Sequence, residues 1–271
     1  MYQLSFQIRT LAPVVISLNY GKINTVNTEK HIPGTTILGM LAWRYLKQTK
    51  STSDERGAID ENFRHFFLSG EMIFTNGWIT RKNKYEEDVA FYPAPISFRK
   101  SKANEKEIYD ILFTDEDFDE QTQAIDYAMA EHQYTQTALE LHHHHARDRA
   151  TGSPAKGLLF TYEAISPDQV FRGTLLGDKT DLQIILDTCK KQWIGWIGRS
   201  RNSQYGKVEF SFEAIKPLEM EHLSDEDNND IVLTVLSHTL IYNDLSVTKI
   251  KQPFFPVHSS SYIHQEKMYC S

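Results

Sequence analysis

The chain has 271 residues, of which 40% are hydrophobic and 12% aromatic, a composition that suits one large or two small folded domains and excludes a disordered protein. The two cysteines, Cys189 and Cys270, lie far apart and form no metal-binding or disulfide pattern, so we expect a reducing, cytoplasmic location. No signal-peptide pattern and no apolar run of roughly 18 residues occurs, so we expect no membrane partner.

The net charge of −7 is unevenly distributed along the chain. Residues 105–140 contain eleven acidic residues and a single base, Lys106, so this segment carries −10 and the remainder of the chain carries +3. Because the local field matters more than the total charge for attracting a polyanion, the net negative charge does not exclude a nucleic-acid partner.

The first half of the chain predicts strands around one helix. Alternating apolar residues predict a first strand over 2–17, and apolar residues at helical spacing predict an amphipathic helix over 36–47. A second strand is predicted over 72–78, followed by an extended segment over 91–98, where two prolines disfavour helix. The acidic segment 105–140 has few branched apolar residues and is predicted to be a loosely helical or disordered insertion.

The second half predicts a hairpin, a helix and a final strand. Residues 158–165 and 169–175 indicate a β-hairpin across a Ser-Pro-Asp turn. Apolar residues from Leu182 to Trp193 indicate a second helix, on whose buried face Trp193 is expected, as Trp43 is on the first. A glycine-containing loop then leads into a strand beginning at Val208.

These elements predict an α+β fold. The order strand, helix, strand, extended segment, helix, strand is that of a ferredoxin-like (RRM-like) βαββαβ unit with insertions. We expect this domain over 1–217 with its acidic insertion at about 101–141, and an acidic linker over 218–230. Residues 231–271 then read as the start of a second, incomplete and truncated domain.

The loop from Trp196 to Phe210 combines two glycines with three basic residues and has no acid between Arg199 and Lys207. Glycine allows close approach and positive φ, and consecutive amides can form an anion-binding concavity, so the loop favours a phosphate backbone. The alternative is a purely structural loop before an edge strand. Tyr205 is the one aromatic residue expected to stack on a base. The candidate RNA-binding residues here are Gly198, Arg199, Ser200, Arg201, Tyr205, Gly206 and Lys207.

Four consecutive histidines, His142–His145, precede Arg147 and Arg149. Adjacent residues of a regular strand or helix cannot converge on one metal, so we expect a polar loop flank and neither a metal nor another cofactor. Proton transfer by one of these histidines during RNA cleavage stays an alternative. Asp148 can pair with one arginine and leave the other to hold a phosphate bidentately, or the group can be a simple surface ion pair.

Three separated motifs together resemble the RAMP superfamily, the RNA-binding subunits of CRISPR effector complexes. They correspond to its "IPGSSIKG" helix start, its "DR-x-TG … LF … F-G" segment and its glycine-rich loop, and they cover most of residues 1–215. In this sequence they are residues 32–39, residues 147–152 with 157–160 and 171–173, and residues 195–206. Within the superfamily, Pro93-Ala94-Pro95 and the following acidic insertion are similar to the Csx-ten family of subtype III-D.

The resemblance implies a ferredoxin-like, RAMP-type RNA-recognition fold in which Gly34, Thr35, Arg147 and Arg149 line the RNA path together with the glycine loop; helix N-termini favour phosphate independently of the family. It implies guide RNA (crRNA) and the other subunits of a type III CRISPR complex as partners in antiviral defence. Target-cleaving members carry an aspartate in the loop before the IPG motif, and residues 19–30 here contain none.

We therefore expect a non-catalytic guide-RNA-binding subunit. A guide-processing endoribonuclease that uses a histidine from 142–145 is one alternative. A protein-only scaffold that docks partner subunits through the acidic insertion is the other.

Overall fold

The computed structural model describes residues 1–18, 25–49, 60–82, 88–95, 97–103, 108–110, 121–129, 133–147, 154–201, 204–218, 242–243 and 246–247. The helices are α1 (Gly34–Thr49), α2 (Glu61–Leu68) and α3 (Lys179–Cys189). The strands are β1 (Tyr2–Thr10), β2 (Thr25–Val26), β3 (Ile73–Phe74), β4 (Trp78–Lys82), β5 (Asp88–Ala90), β6 (Tyr92–Pro93), β7 (Phe98–Ser101), β8 (Ile108–Asp110), β9 (Thr122–Ala124), β10 (Tyr127–Met129), β11 (Gln133–Thr135), β12 (Leu139–Arg147), β13 (Pro154–Ile165), β14 (Val170–Gly177), β15 (Gln192–Trp196), β16 (Lys207–Pro217), β17 (Tyr242–Asn243) and β18 (Ser246–Val247).

The chain divides into two compact units, and the first comprises Met1–Thr80 and Thr137–Leu218. Its main sheet has the strand order β15-β16-β1-β14-β4, with antiparallel neighbours throughout, and β3 also pairs with β14. The alternation predicted for the first strand is confirmed, because Leu4, Phe6 and Ile8 are fully buried. Along the chain the main elements follow the order β1, α1, β4, β14, α3, β16.

Helices α1 and α3 pack against each other, and α3 also packs on β1, β14 and β16. Helix α1 begins directly after Pro33, whose carbonyl accepts the amide hydrogens of Thr36 and Ile37. Trp43 lies on its outer side and is 49% exposed, so the prediction that it is a core residue is wrong. Helix α3 ends at Cys189, where Lys190 has a φ of 72°. Trp193 therefore lies on β15, where it is buried, and not on a helix.

A second, smaller sheet in this unit has the order β12-β13-β2. The predicted hairpin between 158–165 and 169–175 is wrong, because β13 pairs with β12 while β14 pairs with β1 in the main sheet. The Ser-Pro-Asp turn reverses the chain as expected, but its last residue donates its amide to the carbonyl of Thr10 and thereby sends the chain into the main sheet. The histidines lie within β12 and not in a loop flank.

The second unit comprises Arg81–Gln136 and Glu219–Ser271. In its described residues, β7 pairs with β8 and β9, β10 pairs with β6 and β11, and β17 pairs with β18. The prediction of a loosely helical or disordered acidic insertion is wrong for these residues, since they form short strands, with Tyr127 of β10 and Ile125 just before it buried. Residues 219–230 of the predicted linker and residues 231–241 of the predicted second domain lie outside the described residues. Among the described helices, none is sufficiently long and apolar to span a membrane.

Candidate nucleic-acid interface

The glycine loop, residues 197–206, connects β15 to β16 and is held against the segment that follows β1. The amide of Arg199 donates to the carbonyl of Val15 at 2.7 Å, and the amide of Gly206 donates to the carbonyl of Pro13 at 2.7 Å. A third bond runs from the Ile197 amide to the Gly206 carbonyl at 2.9 Å. These amides are therefore already used, and the expected anion cradle of free loop amides is wrong for them.

Both glycines of the loop are required by its shape. Gly198 and Gly206 have φ values of +75° and +82°, in the left-handed region that favours glycine. A Cβ at Gly198 would overlap the carbonyl oxygen of Val15, and a Cβ at Gly206 would overlap that of Ile197. Ser200 is also left-handed, with a φ of 56°. In its described residues, 197–201 and 204–206, the loop is thus tightly packed, and the amides of Ile197, Arg199 and Gly206 are bonded within the protein.

The basic side chains of the loop face outward. Arg199, Ser200, Arg201 and Lys207 are all exposed. The guanidinium carbon of Arg199 lies 5.2 Å from the ring centroid of Tyr162, a cation–π arrangement that fixes its position. Within the described part of the chain, neither Arg199 nor Arg201 forms an ion pair with a carboxylate. The loop therefore presents unneutralised positive charge on a rigid support.

Arg199 packs on an aromatic cluster that includes Tyr162. Tyr162, Tyr205 and Val15 are buried together, with Phe160 packed against them. The ring of His144 stacks on Phe160, and its Nε2 lies 2.7 Å from the hydroxyl oxygen of Tyr205. Burial raises the pKa of Tyr205, so its hydroxyl stays protonated at neutral pH. Because its ring is only 2% exposed, Tyr205 anchors the loop in this conformation and does not offer the stacking surface that we expected.

The four histidines alternate between the two faces of β12. His142 and His144 lie opposite Tyr162 and Phe160 on the face that packs against the loop, and His143 and His145 lie on the other face. The Nε2 of His142 is 2.8 Å from a carboxylate oxygen of Glu140. No group of three metal-binding side chains converges among the described residues.

Of the two arginines predicted beside the histidines, Arg147 ends β12, opposite Pro154 after a shift in register. It lies three residues, or about 10 Å, beyond His144 on the same strand. Arg149, with the rest of 148–153, lies outside the described residues. Strand β12, which carries Arg147, thus contacts the glycine loop through His144 and Tyr205.

At the start of α1, the two residues predicted to line the RNA path, Gly34 and Thr35, differ in exposure. Gly34 is buried, its amide donates to the Oδ1 of Asn76 at 2.8 Å, and an added Cβ would overlap the carbonyl oxygen of Phe74. Its amide is therefore occupied within the protein. Thr35 is exposed on the first turn, where the helix dipole favours an anion.

Comparison with protein families decides the assignment of the chain. The family model of the RAMP superfamily matches residues 7–209. The chain belongs to the RAMP superfamily. No curated protein sequence matches this RAMP protein.

Among solved structures, the RAMP protein is similar to a chain of type III-B Cmr-beta bound to cognate target RNA, with 10% identity and a TM-score of 0.46 over 78% of this chain and 97% of that one. It is similar to a chain of a type IV-B CRISPR complex, with 11% identity and a TM-score of 0.45 over 83% and 95%. A third match is oligomeric Cmr4 from Pyrococcus furiosus, with 11% identity and a TM-score of 0.38 over 79% and 98%.

Two other arginines of the RAMP domain are paired with acids. Arg172 is 3.6 Å from a carboxylate oxygen of Glu213 and donates to the Oε1 of Gln7 at 3.2 Å. Arg9 is 3.1 Å from a carboxylate oxygen of Asp168. Arg9 and Arg172 therefore have acidic partners. In the described part of this unit, Arg199 and Arg201 of the glycine loop do not.

Sequence reasoning missed one feature beside the RAMP loop. Trp196, the last residue of β15, is 41% exposed, and so is Ile194 two residues earlier on the same face. The alternation Gln-Trp-Ile-Gly-Trp over 192–196 is the signal that could have found this strand and its two exposed apolar residues, but helical spacing from Leu182 onward favours a helix as far as Trp193.

Proposed function

We propose that this RAMP protein is a non-catalytic guide-RNA-binding subunit of a type III CRISPR interference complex that acts in antiviral defence. The observation that carries the proposal is the anchored loop with its exposed arginines, Arg199 and Arg201. Family membership supports RNA as the polyanion, because the superfamily whose model matches residues 7–209 is that of RNA-binding subunits of CRISPR effector complexes. Other subunits of the complex are its proposed protein partners.

The proposed mechanism is clamping of the RNA backbone. A preorganised arginine loses little conformational freedom on binding, and its guanidinium can hold a phosphate bidentately. Arg199 is preorganised by the ring of Tyr162 at 5.2 Å, and Lys207 adds a nearby charge. Thr35, Arg147 and Arg149 are proposed as further contacts along the RNA. Because phosphate contacts do not read bases, sequence would be selected through pairing of the guide with its target.

We also propose the finer fold and group assignments. The element order β1, α1, β4, β14, α3, β16 and the sheet order β16-β1-β14-β4 support a ferredoxin-like βαββαβ arrangement. Membership of the Csx-ten group of subtype III-D is supported only by Pro93-Ala94-Pro95 and the acidic composition that follows.

The proposal is tested with the double variant Arg199→Ala/Arg201→Ala and a labelled single-stranded RNA. Loss of two phosphate contacts should weaken binding of every sequence and reduce the slope of log K against log salt by up to about 1.4, which is two contacts at roughly 0.7 each. Affinity is measured by fluorescence anisotropy over a range of salt concentrations.

The matched control is Arg64→Ala/Lys216→Ala, which removes two exposed charges from α2 and from the end of β16 far from the loop. It should leave the salt slope nearly unchanged. Equal affinity and slope in the folded loop variant would contradict the proposal. Binding of partner subunits without any RNA affinity would favour the scaffold alternative.

A second candidate function, processing of guide-RNA precursors, is favoured by one contact. The Nε2 of His144 lies 2.7 Å from the hydroxyl oxygen of Tyr205, which places an imidazole hydrogen-bonded to a phenol next to the proposed backbone site. In the binding assay this candidate would appear as specific cleavage products. These would disappear in His144→Ala and persist in His143→Ala, whose imidazole lies on the opposite face of β12.

A further inference from the structure

Trp196 occupies a position that the fold itself does not explain. It ends β15, which is an edge strand in the hydrogen-bonded order of the main sheet, and it immediately precedes the glycine loop. Its side chain is 41% exposed although the neighbouring residues of the alternating pattern, Trp193 and Gly195, are buried on the opposite face. A large aromatic ring is thus held at the surface on a regular, well-packed strand.

The surroundings of this ring are basic. Trp196 pairs directly with Lys207 across β15 and β16, so their Cβ atoms are about 5 Å apart. Ile194 extends the apolar surface along the strand, opposite Glu209, whose carboxylate accepts a hydrogen bond from Gln192 at 2.7 Å. Arg199 and Arg201 follow within five residues of Trp196. An exposed aromatic ring therefore comes directly before the cationic loop in the chain. The acid among these neighbours, Glu209, is hydrogen-bonded to Gln192.

We propose that Trp196 is a stacking platform for an unpaired base of the RNA whose backbone the glycine loop holds, with Ile194 flanking the base. This inference rests on the proposed function and adds to it a second kind of contact, to the base instead of the phosphate. Aromatic stacking accepts any base because every base has a π-face. It therefore strengthens binding without adding sequence specificity.

The charges favour RNA over a protein as the occupant. An apolar edge strand can also add a strand from another protein, since its outward backbone groups have no partner strand in the described sheet. However, Trp196 pairs with Lys207 across the strands, and Arg199 and Arg201 are the charged residues that follow it in the chain, so the nearby charge is cationic and complements a polyanion. Protein docking is thus an outcome of the test and not the proposal.

The test uses the full chain and two probes, a labelled 12-nucleotide single-stranded RNA and a phosphodiester 12-mer of the same charge without bases. Trp196→Ala should bind the RNA about tenfold more weakly at every salt concentration, because stacking is lost while the phosphate contacts remain. Its salt slope and its affinity for the base-free oligomer should match the wild type. Trp196→Phe, which keeps a smaller ring, should retain most of the affinity.

The matched control is Trp43→Ala, which removes the exposed tryptophan of α1, where Lys47 lies over the ring at 5.0 Å. It should change neither affinity. Should Trp196→Ala fail to fold, tryptophan fluorescence replaces it: RNA should quench the wild type clearly more than Trp196→Phe, and equal quenching would contradict the inference.

The failures of the two proposals are distinguishable. If Arg199→Ala/Arg201→Ala weakens binding but Trp196→Ala does not, the stacking inference is wrong and the proposed function stands. An equal loss for RNA and for the base-free oligomer would show that Trp196 only shapes the loop, which also overturns the inference. If the wild type binds neither probe, both proposals are wrong; loss of subunit binding in Trp196→Ala would then identify a protein-docking edge.

Discussion

At the scale of single residues, glycine serves distinct purposes at different positions. Gly198 and Gly206 are required by positive φ and by the carbonyl oxygens that lie against them. Gly39, on the exposed side of α1, has no atom within 4 Å of the position a Cβ would occupy. The motif glycines of the loop therefore set its conformation, whereas the packing of α1 does not require Gly39.

Substitution of these two glycines should have opposite effects on stability. Gly198→Ala introduces left-handed strain and overlap with Val15, and should lower the free energy of unfolding by about 2 kcal/mol. Gly39→Ala should raise it by roughly 0.5–1 kcal/mol, because alanine costs less entropy in a helix. Urea unfolding followed by circular dichroism measures both. An unchanged midpoint for Gly198→Ala would mean that the loop is not constrained as described.

At the scale of elements, individual side-chain contacts link separate segments of the first unit. The hairpin of β12 and β13 contacts the glycine loop through His144, Tyr162 and Tyr205. On another part of the unit, His65 of α2 is 2.9 Å from a carboxylate oxygen of Asp181 in the first turn of α3 and 3.2 Å from one of Glu71. Such contacts connect elements that are distant in sequence.

The contact between α2 and α3 should make stability depend on pH. The hydrogen bond to Asp181, together with the negative charges of Asp181 and Glu71, raises the pKa of His65 above its ordinary 6.5. A group whose pKa is higher in the folded than in the unfolded state stabilises the folded protein. This stabilisation is complete below the unfolded-state pKa and is lost as the pH rises through the folded-state pKa. The wild type should therefore lose stability relative to His65→Gln as the pH rises above about 6.5, the ordinary pKa of histidine.

Thermal unfolding of both proteins across this pH range measures the difference. His143→Gln serves as the control, because His143 is exposed and contacts the hydroxyl of Thr161 at 3.0 Å instead of a carboxylate. Parallel pH curves for the wild type and His65→Gln would show that the ion pairs at His65 contribute nothing. Solvent screening at this partly exposed site keeps the expected effect small.

At the scale of the whole molecule, charge is separated along the sequence. The segment 105–140 carries −10 and the rest of the chain +3, while the glycine loop and the residue after it contribute Arg199, Arg201 and Lys207 without an intervening acid. The two parts belong mainly to different compact units. Long-range attraction of a polyanion depends on the sum of both contributions, and on the salt that screens them.

Neutralising the densest acidic stretch should strengthen RNA binding at low salt. The changes Asp115→Asn, Glu116→Gln, Asp117→Asn, Asp119→Asn and Glu120→Gln move the net charge from −7 to −2. Affinity for single-stranded RNA should be equal or higher at about 50 mM salt, and the difference should shrink near 0.5 M, where charges are screened within about 5 Å. A large loss of affinity in the folded variant would mean that this stretch organises the RNA site.

The sequence by itself determined the features that depend on local spacing. Alternation placed Leu4, Phe6 and Ile8 in the core, and helical spacing found α1 to within two residues at each end. The motif pattern was sufficient to assign the RAMP superfamily, which the match over residues 7–209 confirms. These successes share a physical reason, since secondary-structure periodicity and turn chemistry are written in neighbouring residues.

Only the tertiary structure decided which strands pair and which side chains are exposed. The turn at Ser166–Asp168 was correctly located, but the pairing of β14 with β1 and of β13 with β12 depends on partners far away in the sequence. Tyr205 lies in the glycine loop and Trp196 directly before it, yet the first is buried by His144 and Tyr162 while the second stays exposed on an edge strand. A residue's availability to a ligand is set by what packs against it, and that packing comes from long-range contacts that spacing along the chain does not encode.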